Sequence, residues 1–214
     1  MNARLIPAML VIAGAPLLAQ TPASAPATQT HASDIGFTYT LPTSWEVVDA
    51  KPTLPTVKDE VAKNATSEDE KKGIACVQIG LTARHGDPAS VVVVVALPFD
   101  CFGQTMTEKD LPGFASGASE GLKNNFDLSG PTYGTYSLGT HPMWVERATG
   151  VPKTNAAVKY TMETVCSVLK KAAVCWMAMA ADEDGLRAFE RGMVTLDGEA
   201  PAVLVPATAF DKRP

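Results

Sequence analysis

VCSVLKKAAVCWMAM, residues Val165–Met179, sets two apolar runs on either side of a lysine pair, with a cysteine in each run. A two-residue turn at Lys170-Lys171 predicts an antiparallel hairpin in which Leu169 faces Ala172, Val168 faces Ala173, Ser167 faces Val174 and Cys166 faces Cys175. The fourth of these pairs is a non-hydrogen-bonded one, whose close Cα approach a disulfide can span. Met162, Thr164, Val168, Met177 and Met179 share the cysteines' face, so the sulfurs are expected to point into a core. A structural zinc site needs cysteines two to four residues apart with further ligands, and a thioredoxin-like site needs C-x-x-C; this spacing is neither. The reading is a structural staple, contributing at most ~2.7 kcal/mol through chain entropy.

The other two cysteines flank a second hairpin. "GIACVQIGLTAR" and "SVVVVVALPFDC" are joined through "HGDPAS", and a turn near Asp87-Pro88-Ala89 brings Cys76 toward Cys101. The expected connectivity is Cys76–Cys101 with Cys166–Cys175, and a mixed pairing between hairpins is the alternative. The valine run Val91–Val95 reads as a central strand covered on both faces.

Working outward, the N-terminus "MNARLIPAMLVIAGAPLLAQTPASA" has one charge, Arg4, then an apolar stretch to Ala19 and small residues. That is the layout of a secretory signal peptide spanning residues 1–19, or 1–25 if cleavage follows Ala25. The run is shorter than the ~20 residues a membrane span requires, so no stable membrane insertion is expected after cleavage. No cysteine stands nearby, which argues against a lipid-anchored mature N-terminus. An oxidising compartment, secreted or periplasmic, then accounts for the cysteines. Residues 20–33 lack any acidic or basic residue except His31 and read as a disordered linker. The chain carries a net charge of −5 and no basic run, which excludes nucleic acid as an expected partner.

Residues 34–200 read as one domain. "FTYTLPTSWEVV" predicts two short strands, and residues 50–72 a charged, solvated insertion. Leu111, Phe114, Ala115, Ala118, Leu122 and Phe126 recur at helical spacing after a plausible N-cap at Asp110. Gly113, Gly117 and Gly121 flank that stripe, either because the helix lies close on its own sheet or because they edge a docking groove. "GTYSLGT", "HPMWVERATG", "VKYTMETVCSVL" and "AAVCWMAMA" predict a meander of four strands. "DEDGLRAFERGMVTL" predicts a closing helix with Leu186, Phe189, Met193 and Val194 on one side, and residues 201–214 an irregular tail. The expected fold is α+β: a single antiparallel sheet with helices packed on it.

This order of elements, with the opening "FTYTLPTSWEVV" and its Leu41-Pro42 and Trp45, resembles the Mog1/PsbP-like superfamily across residues 34–197, in a secreted bacterial branch. The resemblance implies a non-catalytic module, since relatives bind other proteins: a small GTPase, a photosystem, secreted effectors. The four-cysteine pattern is not general in the superfamily, and no binding motif carries over residue by residue.

Chemistry-bearing patterns are few. A Ser-His-Asp hydrolase would have to use His85 or His141, and Ser116 lacks the G-x-S-x-G elbow. Met162, Met177 and Met179 could hold Cu(I), but thioethers filling a core are far commoner. The glycine spacing matches no phosphate cradle. No catalytic residue, cofactor or metal is expected. Trp144 and Glu146 share a strand face opposite Met143, Val145 and Arg147, and form a candidate binding surface. The expected function is a secreted or periplasmic, non-enzymatic module that binds an envelope or secreted protein. The alternative is a small-molecule carrier or hydrolase with a pocket between sheet and helix.

Overall fold

The computed structural model describes residues 27–49, 55, 58–59, 62–63 and 67–211. The expected signal peptide, residues 20–26 of the expected linker and most of the expected insertion lie outside the described residues.

The strands are β1 (Thr28–Ala32), β2 (Phe37–Pro42), β3 (Glu46–Val47), β4 (Gln78–His85), β5 (Ser90–Pro98), β6 (Phe126–Leu138), β7 (His141–Pro152), β8 (Tyr160–Val168), β9 (Ala172–Ala180), β10 (Met193–Leu196) and β11 (Ala202–Val203). The helices are α1 (Glu68–Cys76), α2 (Phe99–Phe102), α3 (Leu111–Lys123) and α4 (Glu183–Glu190). They form an α+β fold with two antiparallel sheets rather than the expected one. A four-stranded sheet runs β1-β2-β10-β11 and a seven-stranded sheet runs β3-β4-β5-β9-β8-β7-β6.

Three sequence expectations change to make the second sheet. Residues 28–32, assigned to the linker, pair with β2 along its length, Thr28 opposite Pro42 through Ala32 opposite Thr38. A backbone ladder needs no apolar side chains, and threonine suits a pleated surface. The closing helix stops at Glu190, and Met193–Leu196 becomes β10, with Val194 opposite Tyr39 and Leu196 opposite Phe37. Gly192 makes that break; a Cβ there would strike the Tyr39 ring. The tail adds β11 and buries Leu204, Val205 and Ala209 in the main core, so the packed domain extends past residue 200.

Cys76 also differs from expectation. It ends α1 instead of entering a strand, because Ser67 and Glu70 form a reciprocal capping box that starts a helix through the charged segment.

The main core lies between the sheets. Phe37, Tyr39 and Leu41 alternate inward from β2 against Val165, Val174 and Trp176. Phe37 meets the fully buried Trp176 edge-on at 5.4 Å, and Phe189 of α4 meets Tyr39 at 6.4 Å.

The Lys170-Lys171 turn sets the predicted register, with Cys166 opposite Cys175 and Ser167 opposite Val174. Both cysteine pairs are at disulfide distance: Cys166–Cys175 with Cα atoms 4.1 Å apart, Cys76–Cys101 with Cα atoms 5.6 Å apart. The first pair does not face the main core. It is buried on the opposite face, in a small cluster with Leu111 and Ala115 of α3.

Candidate functional site

That opposite face is the one the sequence-derived candidates share. Cys166 lies across from Trp144, and Glu146 across from Thr164, so β7 places both candidates beside the disulfide. Leu111 and Ala115 bring α3 down over β7 and β8 at this end. Trp144 is half-buried against that cluster, with the Tyr133 ring 5.7 Å away, and Tyr133 is 38% exposed. The indole Nε1 of Trp144 is buried without a hydrogen-bond partner among the described residues. Burial raises the Glu146 carboxyl above its ordinary range, with Lys123 acting against it.

The glycines are not where close packing would put them. Gly113 and Gly117 are exposed, and a Cβ on either would meet nothing within 4 Å. They belong to the solvent side of α3, which leaves the sheet contact to Leu111, Ala115 and the buried Ser119. Gly121 lies in the helix's last turns.

Beside α3, on β5 and β9, the same face stays apolar. Val93 pairs with Met177, Val91 with Met179, and Met179 with Met162. Directly paired residues share a face. Val91, Val93, Met177, Met179 and Tyr160 are half-buried, whereas Val92, Val94 and Ala96, the alternate residues of β5, are fully buried. The valine run is thus covered on one face and only partly on the other. The methionines pack as side chains: Met177 lies against the disulfide cluster, and Met162 occupies the space a Cβ on Gly150 would need.

The histidines are held by backbone. His85 is hydrogen-bonded through Nδ1 to the Ser44 carbonyl at 3.1 Å and stacks on Trp45 at 5.7 Å. His141 donates from Nδ1 to the Val168 carbonyl at 3.2 Å, while its buried Nε2 lies 3.6 Å from both Asp197 and Glu199. Ser116 is exposed on α3. An open cleft of about 400 Å³ adjoins His141, with Glu108, Thr140, Lys170, Asp197 and Glu199 among its lining. Glu199 accepts from both the backbone and the hydroxyl of Thr140, and these bonds, the hydroxyl's first, lower its carboxyl below the ordinary range.

The group that sequence reasoning missed is Glu163. Its side chain is fully buried on the main-core side of β8. Oε2 accepts from Arg147 Nε at 2.5 Å, and Oε1 has no hydrogen-bond partner among the described residues. Arg147 also pairs with Glu190 of α4 and lies 4.6 Å from the centre of the Phe210 ring. Burial raises the Glu163 carboxyl to about 7 against the opposing pull of Arg147. Its charge in turn raises the buried hydroxyls of Tyr39 and Tyr136, for which burial is the larger cause. The available signal was Glu163 alternating with Thr161 and Val165, on the face opposite the cysteine.

No family model and no curated protein matches this chain. Among solved structures, the chain is similar to the solution structure of cyanobacterial PsbP (CyanoP) from Synechocystis sp. PCC 6803. The TM-score is 0.41 and the identity 13%, over 79% of this chain and 89% of that one.

Among the described residues, no helix is long and apolar enough to cross a membrane.

Proposed function

We propose that this chain is a secreted or periplasmic, non-enzymatic module that binds an envelope or secreted protein through the second face of its seven-stranded sheet. The observation that carries the reading is the row of half-buried Val91, Val93, Met177 and Met179 on β5 and β9, beside α3. Apolar side chains from adjacent central strands, left partly open to water, make a contiguous surface that a protein partner can cover. Trp144 and Tyr133 extend it toward β6 with an aromatic pair of the kind that anchors interfaces. The paired cysteines and the N-terminal layout support the compartment. The placement in a secreted branch of the Mog1/PsbP-like superfamily belongs to the same proposal and rests on the Leu41-Pro42 and Trp45 opening and the element order.

The second reading, a small-molecule site, is favoured by one feature. The cleft at His141 combines polar groups with the apolar walls of Pro142, Val168 and Leu169.

Site-specific photo-crosslinking in the native envelope separates the two. A crosslinker at Val93 or Met179 is expected to trap one protein, and Val93→Asp to abolish the adduct formed from Met179. Adducts that survive Val93→Asp but vanish with His141→Ala would move the site to the cleft.

A further inference from the structure

The Glu163 cluster joins elements that are distant in sequence, and one of them is the C-terminal strap, residues 202–211. Beyond the pairing of β11 with β10 and the burial of Leu204, Val205 and Ala209 in the main core, the strap is held by few hydrogen bonds. Leu204 N donates to Gly192 O at 2.9 Å, Val205 N to Glu190 O at 3.0 Å, and Tyr136 OH donates to Leu204 O at 2.5 Å. Phe210 lies over Arg147, and the Ala209 carbonyl lies where a side chain on Gly134 of β6 would stand. Glu190 therefore holds the strap by its backbone and Arg147 by its side chain.

Glu163 lies beneath this arrangement. The titratable and charged groups acting on it are Arg147 from β7 and Glu190 from α4, and it in turn acts on Tyr39 from β2 and Tyr136 from β6. One guanidinium serves two carboxylates. Both hydroxyls are committed to backbone carbonyls, Tyr39 to Phe189 O at 2.9 Å and Tyr136 to Leu204 O. With Glu163 neutral, the cluster holds one cation and one anion. With Glu163 ionised, a second anion is buried with one oxygen unpartnered, a costly state. That charge also acts on the Tyr136 hydroxyl, whose bond to Leu204 holds the strap.

We propose that the strap is a pH-operated latch, closed over β6, β7 and α4 while Glu163 is neutral and loosened when Glu163 ionises. Loosening uncovers the Gly134 region of β6, the edge strand of the seven-stranded sheet. The raised carboxyl places the transition near neutral pH, within reach of an extracellular compartment.

Amide hydrogen exchange on the full chain tests this, with rates corrected for the intrinsic effect of pH. Protection at Leu204 and Val205 is expected to fall tenfold or more between pH 5.5 and 8.5. In Glu163→Gln, which keeps the shape and cannot ionise, protection should stay constant. Glu190→Gln leaves Arg147 to Glu163 alone and should lower the midpoint. A wild-type strap equally protected at both pH values would overturn the latch. So would the same fall in Glu163→Gln, or an unmoved midpoint in Glu190→Gln.

Discussion

The two faces of the seven-stranded sheet are built from the same strands with similar residues, yet they are in opposite states. On the inner face Val92, Val94, Val165, Val174 and Trp176 are fully buried against the second sheet. On the outer face Val91, Val93, Met177 and Met179 are half-buried beside α3. The inner face also holds a buried carboxyl, Glu163, and the outer face holds a covalent link, Cys166–Cys175. The lesson is that apolar composition does not mark a core. A core needs a second layer, and among the described residues a full second layer covers one face only.

The largest expected difference between the faces is in stability. Trp176→Ala empties the centre of the inner core and should cost about 3–5 kcal/mol, measured by urea unfolding. A cost under about 1 kcal/mol would erase the distinction between the faces.

Next is the pH dependence of the inner face. The Glu163 carboxyl is raised from 4.5 to about 7 in the folded chain, so between these values the folded state binds the extra proton. Its contribution is fully present below pH 4.5 and is lost as pH rises to about 7, a total of about 3 kcal/mol. Asp110 and Glu199 are lowered by hydrogen bonds from Thr107 and Thr140 and act in the opposite direction at lower pH. Comparing wild type with Glu163→Gln isolates the first effect. The variant's stability curve should be flatter between pH 5 and 8, and parallel curves would remove Glu163 from the account.

Removing the outer link by a Cys166→Ser, Cys175→Ser double substitution should cost about 2–3 kcal/mol, read as a lowered urea midpoint. An unchanged midpoint would mean that the hairpin and α3 hold this face without it.

The smallest expected effect sharpens the comparison most. Met179→Thr on the half-exposed face should change stability by less than about 1 kcal/mol while weakening the crosslinked complex. A large loss of stability would show Met179 to be core, and the docking surface would then have to be sought elsewhere.

Much of the candidate site was legible where local rules act alone. The two-residue turn and strict alternation are enough to place Cys166 opposite Cys175 and Trp144 with Glu146 on one face. The helical stripe at Leu111 and Ala115 was legible for the same reason. Glu163 was harder: alternation assigns it a face, but which face becomes the interior depends on the layer that arrives. Gly113 and Gly117 illustrate the same limit. Their spacing says they line up on a helix, and only packing says they face water.

By itself, then, the chain's sequence determined the hairpin Tyr160–Ala180 with its register and the Cys166–Cys175 pair, because these depend on neighbours a few residues away. The tertiary structure alone decided that β10 leaves the closing helix to pair with β2, and that β1 forms from a polar segment. It also decided that the tail completes the core and that its Phe210 lies over Arg147, the partner of Glu163. Each of these rests on pairing or burial between segments far apart in the chain, Tyr39 with Phe189 or Tyr136 with Leu204, and such partners leave no periodic trace in either segment.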